Sequence, residues 1–169
     1  MATIFEAAAS GDIGAMNGFM DVDDWEPDAI DDSGCTALHY AARTGEAAAG
    51  ALLLECDASP NIADKMGNTP LIYAGIFNKR LVASMLLWGQ ADPSMTNLKG
   101  NTALHEAALV GSQDVAWLIV ENGGEHTVLL QNADGKTPLE LARAGGNPEL
   151  TEMLEKSFKE MTEKKNEPE

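Results

Sequence analysis

Residues 36–41 read Thr36-Ala37-Leu38-His39-Tyr40-Ala41, and their Thr-x-Leu-x-x-Ala pattern comes back three times. It returns as Thr69-Pro70-Leu71-Ile72-Tyr73-Ala74, as Thr102-Ala103-Leu104-His105-Glu106-Ala107 and as Thr137-Pro138-Leu139-Glu140-Leu141-Ala142. The first two steps are 33 residues and the third is 35. A unit of this length is one supersecondary element that cannot bury its own apolar face, so copies must stack. The reading is therefore a helical solenoid, an architecture that exposes long binding surfaces.

Outward from the pattern, each unit repeats the same punctuation. A glycine-containing turn comes first: Asp32-Ser33-Gly34-Cys35, Lys65-Met66-Gly67-Asn68, Leu98-Lys99-Gly100-Asn101 and Ala133-Asp134-Gly135-Lys136. The threonine that follows suits a helix N-cap, since its hydroxyl accepts from a free backbone N–H. Pro70 and Pro138 then fall at the first helical position, where proline fits. The helix is predicted to stop at Gly45, Asn78, Gly111 and Gly146, the two residue types that best tolerate a left-handed terminus. A second helix follows, with apolar residues at helical spacing: Val82, Met85, Leu86 and Leu87, then Val115, Leu118, Ile119 and Val120, then Leu150, Met153 and Leu154.

With its apolar pair and an Ala-Asp type loop after the second helix (Leu53-Leu54 with Asp57-Ala58-Ser59-Pro60-Asn61, Leu86-Leu87 with Gln90-Ala91-Asp92-Pro93), the chain resembles the ankyrin repeat family over residues 3–156. The resemblance implies an α-solenoid of about five helix-turn-helix units with β-hairpin-like loops. The units expected are 1–30, 31–63, 64–96, 97–131 and 132–158, together a repeat domain over 1–158, with a charged tail over 159–169 that frays from Lys159. Three departures stand out. Gln90 replaces the glycine usual after a second helix, which predicts a differently shaped helix end. Two extra residues around Glu125-His126-Thr127 predict a longer outgoing loop. The first unit is degenerate, as terminal repeats are, with Ile4-Phe5-Glu6-Ala7-Ala8-Ala9-Ser10-Gly11 keeping the first helix and its stop.

Composition bounds the function. The chain carries 27 Asp and Glu against 11 Lys and Arg, a formal charge of -16. Such a surface repels phosphate backbones and anionic lipids and favours basic partners or solubility. Two cysteines, Cys35 and Cys56, without metal-ligand spacing point to a reducing compartment. With no signal peptide or membrane span legible, the expectation is the cytoplasm, the nucleus also being open. No catalytic constellation is found. His39 and His105 share a repeat position and are read as ties between loops rather than a metal pair, because Ile72 and Glu140 hold the same position elsewhere. The acidic run 21–32 lacks the spacing and central glycine of a calcium loop and is read as solvated. Cys35, on a loop tip, is read as an accessible ordinary thiol. No cofactor and no metal are expected.

The resemblance also places a binding surface, on the loop tips and the exposed side of the first helices. The residues assigned to it are Arg43, Thr44, Lys65, Met66, Asn68, Ile76, Phe77, Leu98, Lys99, Asn101, Leu109, Val110, Asp134 and Lys136. Ile76, Phe77, Leu109 and Val110 are apolar where the pattern leaves residues exposed; with Met66 and Leu98 they form an apolar patch, and such patches mark interaction sites. Trp88 and Trp117 fall on second helices, either as outward anchors or packed between neighbours. The expectation is a monomeric, non-catalytic module that binds another protein through the concave face, the partner being basic or bearing an apolar anchor. Alternatives are a regulatory inhibitor of an enzyme such as a kinase, and an acidic carrier for a basic client. Small ankyrin inhibitors of cyclin-dependent kinases shorten the first helix of their second repeat, and no unit within 31–131 looks shortened.

Overall fold

The computed structural model describes residues 3–22 and 24–166. Its helices come in pairs. They are α1 (Ile4–Ser10) and α2 (Ile13–Met20), α3 (Ala37–Thr44) and α4 (Ala47–Glu55), α5 (Pro70–Ile76) and α6 (Arg80–Trp88), α7 (Ala103–Val110) and α8 (Gln113–Ile119), and α9 (Pro138–Gly145) and α10 (Pro148–Asn166). Among the described residues there is no strand. The odd-numbered helices pack on one another in a row, α1 on α3 through to α7 on α9, and the even-numbered helices form a second row beside them.

The repeat is written into the core position by position. Ala8, Ala41, Ala74, Ala107 and Ala142 are fully buried, at 0% exposure, and so are Met16, Ala49, Val82, Val115 and Leu150. Leu53, Leu86, Ile119 and Leu154 make a third buried line at the same spacing. Small residues face the next first helix and large ones fill the space between rows, so each unit closes on its neighbours. Burying one such leucine contributes about 1.5–3 kcal/mol. First helices approach closely at Gly75, where an added Cβ would lie 2.7 Å from the Ala103 carbonyl oxygen. The Ser112 hydroxyl crosses the same junction and donates to the Gly75 carbonyl at 3.0 Å.

Helix ends follow the predicted punctuation. The Thr69, Thr102 and Thr137 hydroxyls accept from the backbone N–H three residues on, at 3.4, 3.3 and 3.3 Å. Thr3, 33 residues before Thr36, caps α1 in the same way, with Glu6 reaching back to its N–H. That threonine is the start of the degenerate first unit, and the repeat step locates it. Gly45, Asn78, Gly111 and Gly146 all take the left-handed conformation.

Three expectations about shape need correction. Gln90 does not change the helix end: its φ is 65°, matching Asp57 at 64° and the left-handed Gly123 at the same repeat position. The chain keeps the glycine conformation there and carries the side chain at a cost. The insertion in the fourth unit does lengthen the outgoing connection, but not as an open loop. After a kink at Asn122 and Gly123, residues Glu125–Leu129 wind into a 3-10 turn that buries Thr127 and Val128. The Thr127 hydroxyl donates to the Gly124 carbonyl at 2.6 Å and closes that turn. The tail does not fray from Lys159: α10 continues to Asn166, with Phe158 and Met161 packed on the core. Residues 167–169 lie outside the described residues, as does Asp23 of the acidic run. Within the rest of that run, Asp28 accepts from the Ser59 N–H at 2.8 Å and Trp25 packs on the core, so the segment is fastened to the second unit.

Candidate protein-binding surface

The loops before the odd-numbered helices share one construction. Asp31, Asp64, Asn97 and Asn132 stand four residues before the end of each turn, and each uses Oδ1 to accept two backbone N–H groups. Asp31 takes those of Ser33 and Cys35 at 2.7 and 2.9 Å, and Asp64 those of Met66 and Asn68, both at 2.8 Å. Asn97 takes those of Lys99 and Asn101 at 3.0 and 3.1 Å, and Asn132 those of Asp134 and Lys136, both at 3.0 Å. The tips are then bonded in series. The N–H of Lys65 donates to the Ser33 carbonyl, that of Leu98 to Met66 and that of Ala133 to Lys99, each at 3.0 Å. The result is a continuous row of loop tips whose backbone is spoken for and whose side chains project.

The histidines lock this row to the helices. His39 Nδ1 accepts from the Thr36 N–H at 3.0 Å, which leaves Nε2 to donate to the Asn68 carbonyl of the next unit, also at 3.0 Å. His105 repeats the arrangement with the Thr102 N–H at 3.2 Å and the Lys136 carbonyl at 3.1 Å. Burial pushes both imidazoles below the ordinary histidine range, more than the neighbouring carboxylates and backbone bonds raise them. Both are therefore neutral ties between units, as the repeat position implied. Among the described residues no group of three or more His, Cys, Asp or Glu is placed to hold a metal ion.

Most of the residues assigned to the surface do project from it. Arg43, Thr44, Lys65, Met66, Lys99, Asp134 and Lys136 are exposed, as are Phe77 (43%), Leu109 (50%), Val110 and Leu98 (72%). Lys99, Leu109, Asp134 and Lys136 line one open depression between α7 and the last two tips. Phe77 lies stacked on Tyr73, ring centroids 6.0 Å apart, and Arg43 sits over the Tyr40 ring at 4.8 Å. Ile76 is half-buried against the core.

Two expected contact residues do not join. Asn101 is buried: its amide donates to Glu106 Oε1 at 2.9 Å and its Oδ1 accepts from Asn132 at 2.8 Å. Asn68 is half-buried, its Oδ1 accepting from Asn97 at 3.1 Å. Both hold adjacent tips together instead of facing outward. Cys35 is likewise not accessible; it is buried against the Tyr73 hydroxyl, and burial pushes its thiol up, away from thiolate chemistry. Missed from sequence were Tyr40 and Tyr73, which shape this face by donating to Asp31 and Asp64. Their recurrence at one repeat position, nine residues after an aspartate, was the available clue.

A repeat of 33 residues, paired helices in two rows and a row of bonded loop tips with projecting side chains define a helical repeat protein. The family model for ankyrin repeats matches residues 4–97 and 76–165, and the chain belongs to that family. Among curated proteins no sequence matches the chain. Ankyrin repeats are generally protein–protein interaction modules, and the family is typically non-enzymatic. Among the described residues no helix is long and apolar enough to cross a membrane.

Proposed function

We propose that this chain binds a partner protein through the face made by its loop tips and first helices, with Phe77 and Leu109 as central anchors. One observation carries the reading. Met66, Phe77, Leu98, Leu109 and Val110 are large, apolar and exposed together on this one face, in a chain whose net charge is -16. The charge of the face supports an apolar rather than a basic partner. Arg43, Lys65, Lys99 and Lys136 are four of the eleven cations of the chain, and they stand here although the net charge is -16. An acidic carrier for a basic client would present the opposite balance. The inhibitor reading also loses support, because α3 spans Ala37–Thr44 and matches the eight residues of α7 rather than being shortened. Charge repulsion between copies favours a monomer. Binding in the cytoplasm rests on the cysteines, of which neither is paired.

The test pairs affinity with stability. Phe77→Ala and Leu109→Ala should each weaken partner binding by about 2 kcal/mol, as anchors do. Both sites are about half exposed, so the melting temperature should move little. The partner would be recovered by affinity purification and mass spectrometry with wild type beside the double variant. A large fall in melting temperature with unchanged affinity of the folded fraction would move the site elsewhere.

A further inference from the structure

The second row of helices carries an exposed apolar ridge that the recognition face does not use. Helix α6 packs between α4 and α8. On its outer side Leu81 is 70% exposed and Trp88 80%, and on α8 Trp117 is 47% exposed. The alternative that both tryptophans pack between neighbouring helices therefore fails, most clearly for Trp88. Leu81 and Trp88 are seven residues apart, two helical turns, and so stand on one side of α6. Trp88 makes no aromatic or cation contact within the chain among the described residues.

The surroundings of the ridge say what would cover it. The 33-residue step puts Glu55 of α4 and Glu121, just past α8, at the repeat position of Trp88 on either side. The same step puts Asp114 of α8 beside Leu81. Arg80, at the start of α6, is the one cation within α4, α6 and α8. An indole flanked by carboxylates attracts a cation over its face and holds the charge at its rim.

We infer that this outer face is a second docking surface, and that its occupant is an amphipathic helix of another protein with an apolar stripe and lysine or arginine flanks. The stripe would cover Leu81 and Trp88 at helical spacing, while the basic side chains reach Glu55, Asp114 and Glu121 along their aliphatic stems. A second copy of this chain is the poorer occupant, since each copy carries a charge of -16. Anionic lipid is excluded on the same ground. The inference stands apart from the proposed recognition face, because it uses different residues on different helices. With both surfaces in use, the chain would join two partners.

The probe is a synthetic helical peptide with leucines on one face and lysines on the other, with a twin carrying glutamates in place of the lysines. Binding is followed by fluorescence anisotropy and by the blue shift of tryptophan emission. The lysine peptide should bind the wild-type chain and the glutamate peptide should not. Trp88→Ala should weaken binding at least tenfold, with Trp88→Lys acting more strongly. Combining Glu55→Gln with Glu121→Gln should weaken it several-fold. Phe77→Ala with Leu109→Ala should leave it unchanged, which separates this surface from the other. Trp88 is so exposed that both of its variants should melt with the wild type. Four results would overturn the inference: no binding of the lysine peptide, equal binding to Trp88→Ala, equal binding of the glutamate peptide, or loss through Phe77 and Leu109 instead. Concentration-dependent dimerisation abolished by Trp88→Ala would also overturn it, by assigning the ridge to a second copy.

Discussion

In the third unit the Tyr73 hydroxyl donates to Asp64 Oδ2 at 2.9 Å; in the fourth, Asn97 Nδ2 donates to Glu106 Oε1, also at 2.9 Å. The two pairs occupy the same repeat positions, with donor and acceptor exchanged. The second unit follows the third, Tyr40 donating to Asp31. The hydrogen bond to Asp31 is the main reason the Tyr40 hydroxyl is pushed up to about 12. Each turn requires only an Oδ1 that accepts two backbone N–H groups, and both Asp and Asn provide one. The remaining atom is free to be an oxygen or an amide, and every neighbour must then agree with it. Asn97 has an N–H to spare, and Asn68 on the preceding tip accepts it. Asn132 likewise finds Asn101. Asp64 has no such proton, and the matching place on its preceding tip is Cys35. The chain thus contains two dialects of one loop, aspartate with tyrosine in the second and third units and asparagine with glutamate in the fourth, while in the fifth Asn132 keeps the turn and Leu141 stands where the glutamate was.

Mixing the dialects should cost most. Asn97→Asp sets a carboxylate against Glu106 where an amide donated, and should destabilise the fold by about 3–5 kcal/mol in urea or thermal unfolding. Adding Glu106→Tyr restores the N-terminal dialect and should recover more than half of that loss. If the double variant is no better than the single one, the two positions are not a matched pair. At the junction where the dialects meet, Gly75→Ala places a methyl 2.7 Å from the Ala103 carbonyl. The expected loss is about 1–3 kcal/mol, read from the melting temperature.

Acid should affect both dialects alike, because each contains one tie histidine. The folded-state pKa values of His39 and His105 lie below the ordinary 6.5, so the unfolded chain takes up protons first as pH falls. Stability is then full above pH 6.5 and declines below it, by up to about 1.4 kcal/mol per pH unit for each histidine. Replacing either histidine with glutamine should halve the slope of melting temperature against pH between neutrality and the carboxylate range. An unchanged slope would mean that other groups set the acid response. The smallest effect is expected at the caps. Thr69→Ala should cost about 0.5–1 kcal/mol, the low end for a lost cap, because Ile72 supplies no return bond. Thr102→Ala should cost more, since its hydroxyl is also 2.8 Å from His105 Nδ1. Equal melts for the two would remove that distinction.

The sequence carried the fold at the positions where backbone geometry restricts the residue type. Thr36, Thr69, Thr102 and Thr137, with the stops at Gly45, Asn78, Gly111 and Gly146, are legible because few residues cap a helix or enter the left-handed region. Gln90 misled for the same reason read backwards: a neighbouring repeat can impose the conformation on a residue that does not favour it. Exposure on the proposed face was legible where a side chain is simply large and at a position the pattern leaves outward, as at Phe77 and Leu98. It was not legible at Asn68 and Asn101. Beside a turn glycine both look like tip residues, and their burial depends on amides supplied 29 and 31 residues later, by Asn97 and Asn132. The insertion was invisible as structure because its turn depends on contacts no pattern announces, the Thr127 hydroxyl meeting the Gly124 carbonyl and Val128 entering the core.

The two histidine ties both reach forward along the chain. His39 finds its acceptor 29 residues downstream, at Asn68, and His105 finds its own 31 residues downstream, at Lys136. A chain leaving the ribosome therefore holds each imidazole N–H unanswered until the following turn has been translated and folded back. These two ties run forward to the next unit, whereas the backbone N–H groups of Lys65, Leu98 and Ala133 run back to the tip before. A chain truncated just before Asn68 or Lys136 would end on an open ring nitrogen where the next turn belongs.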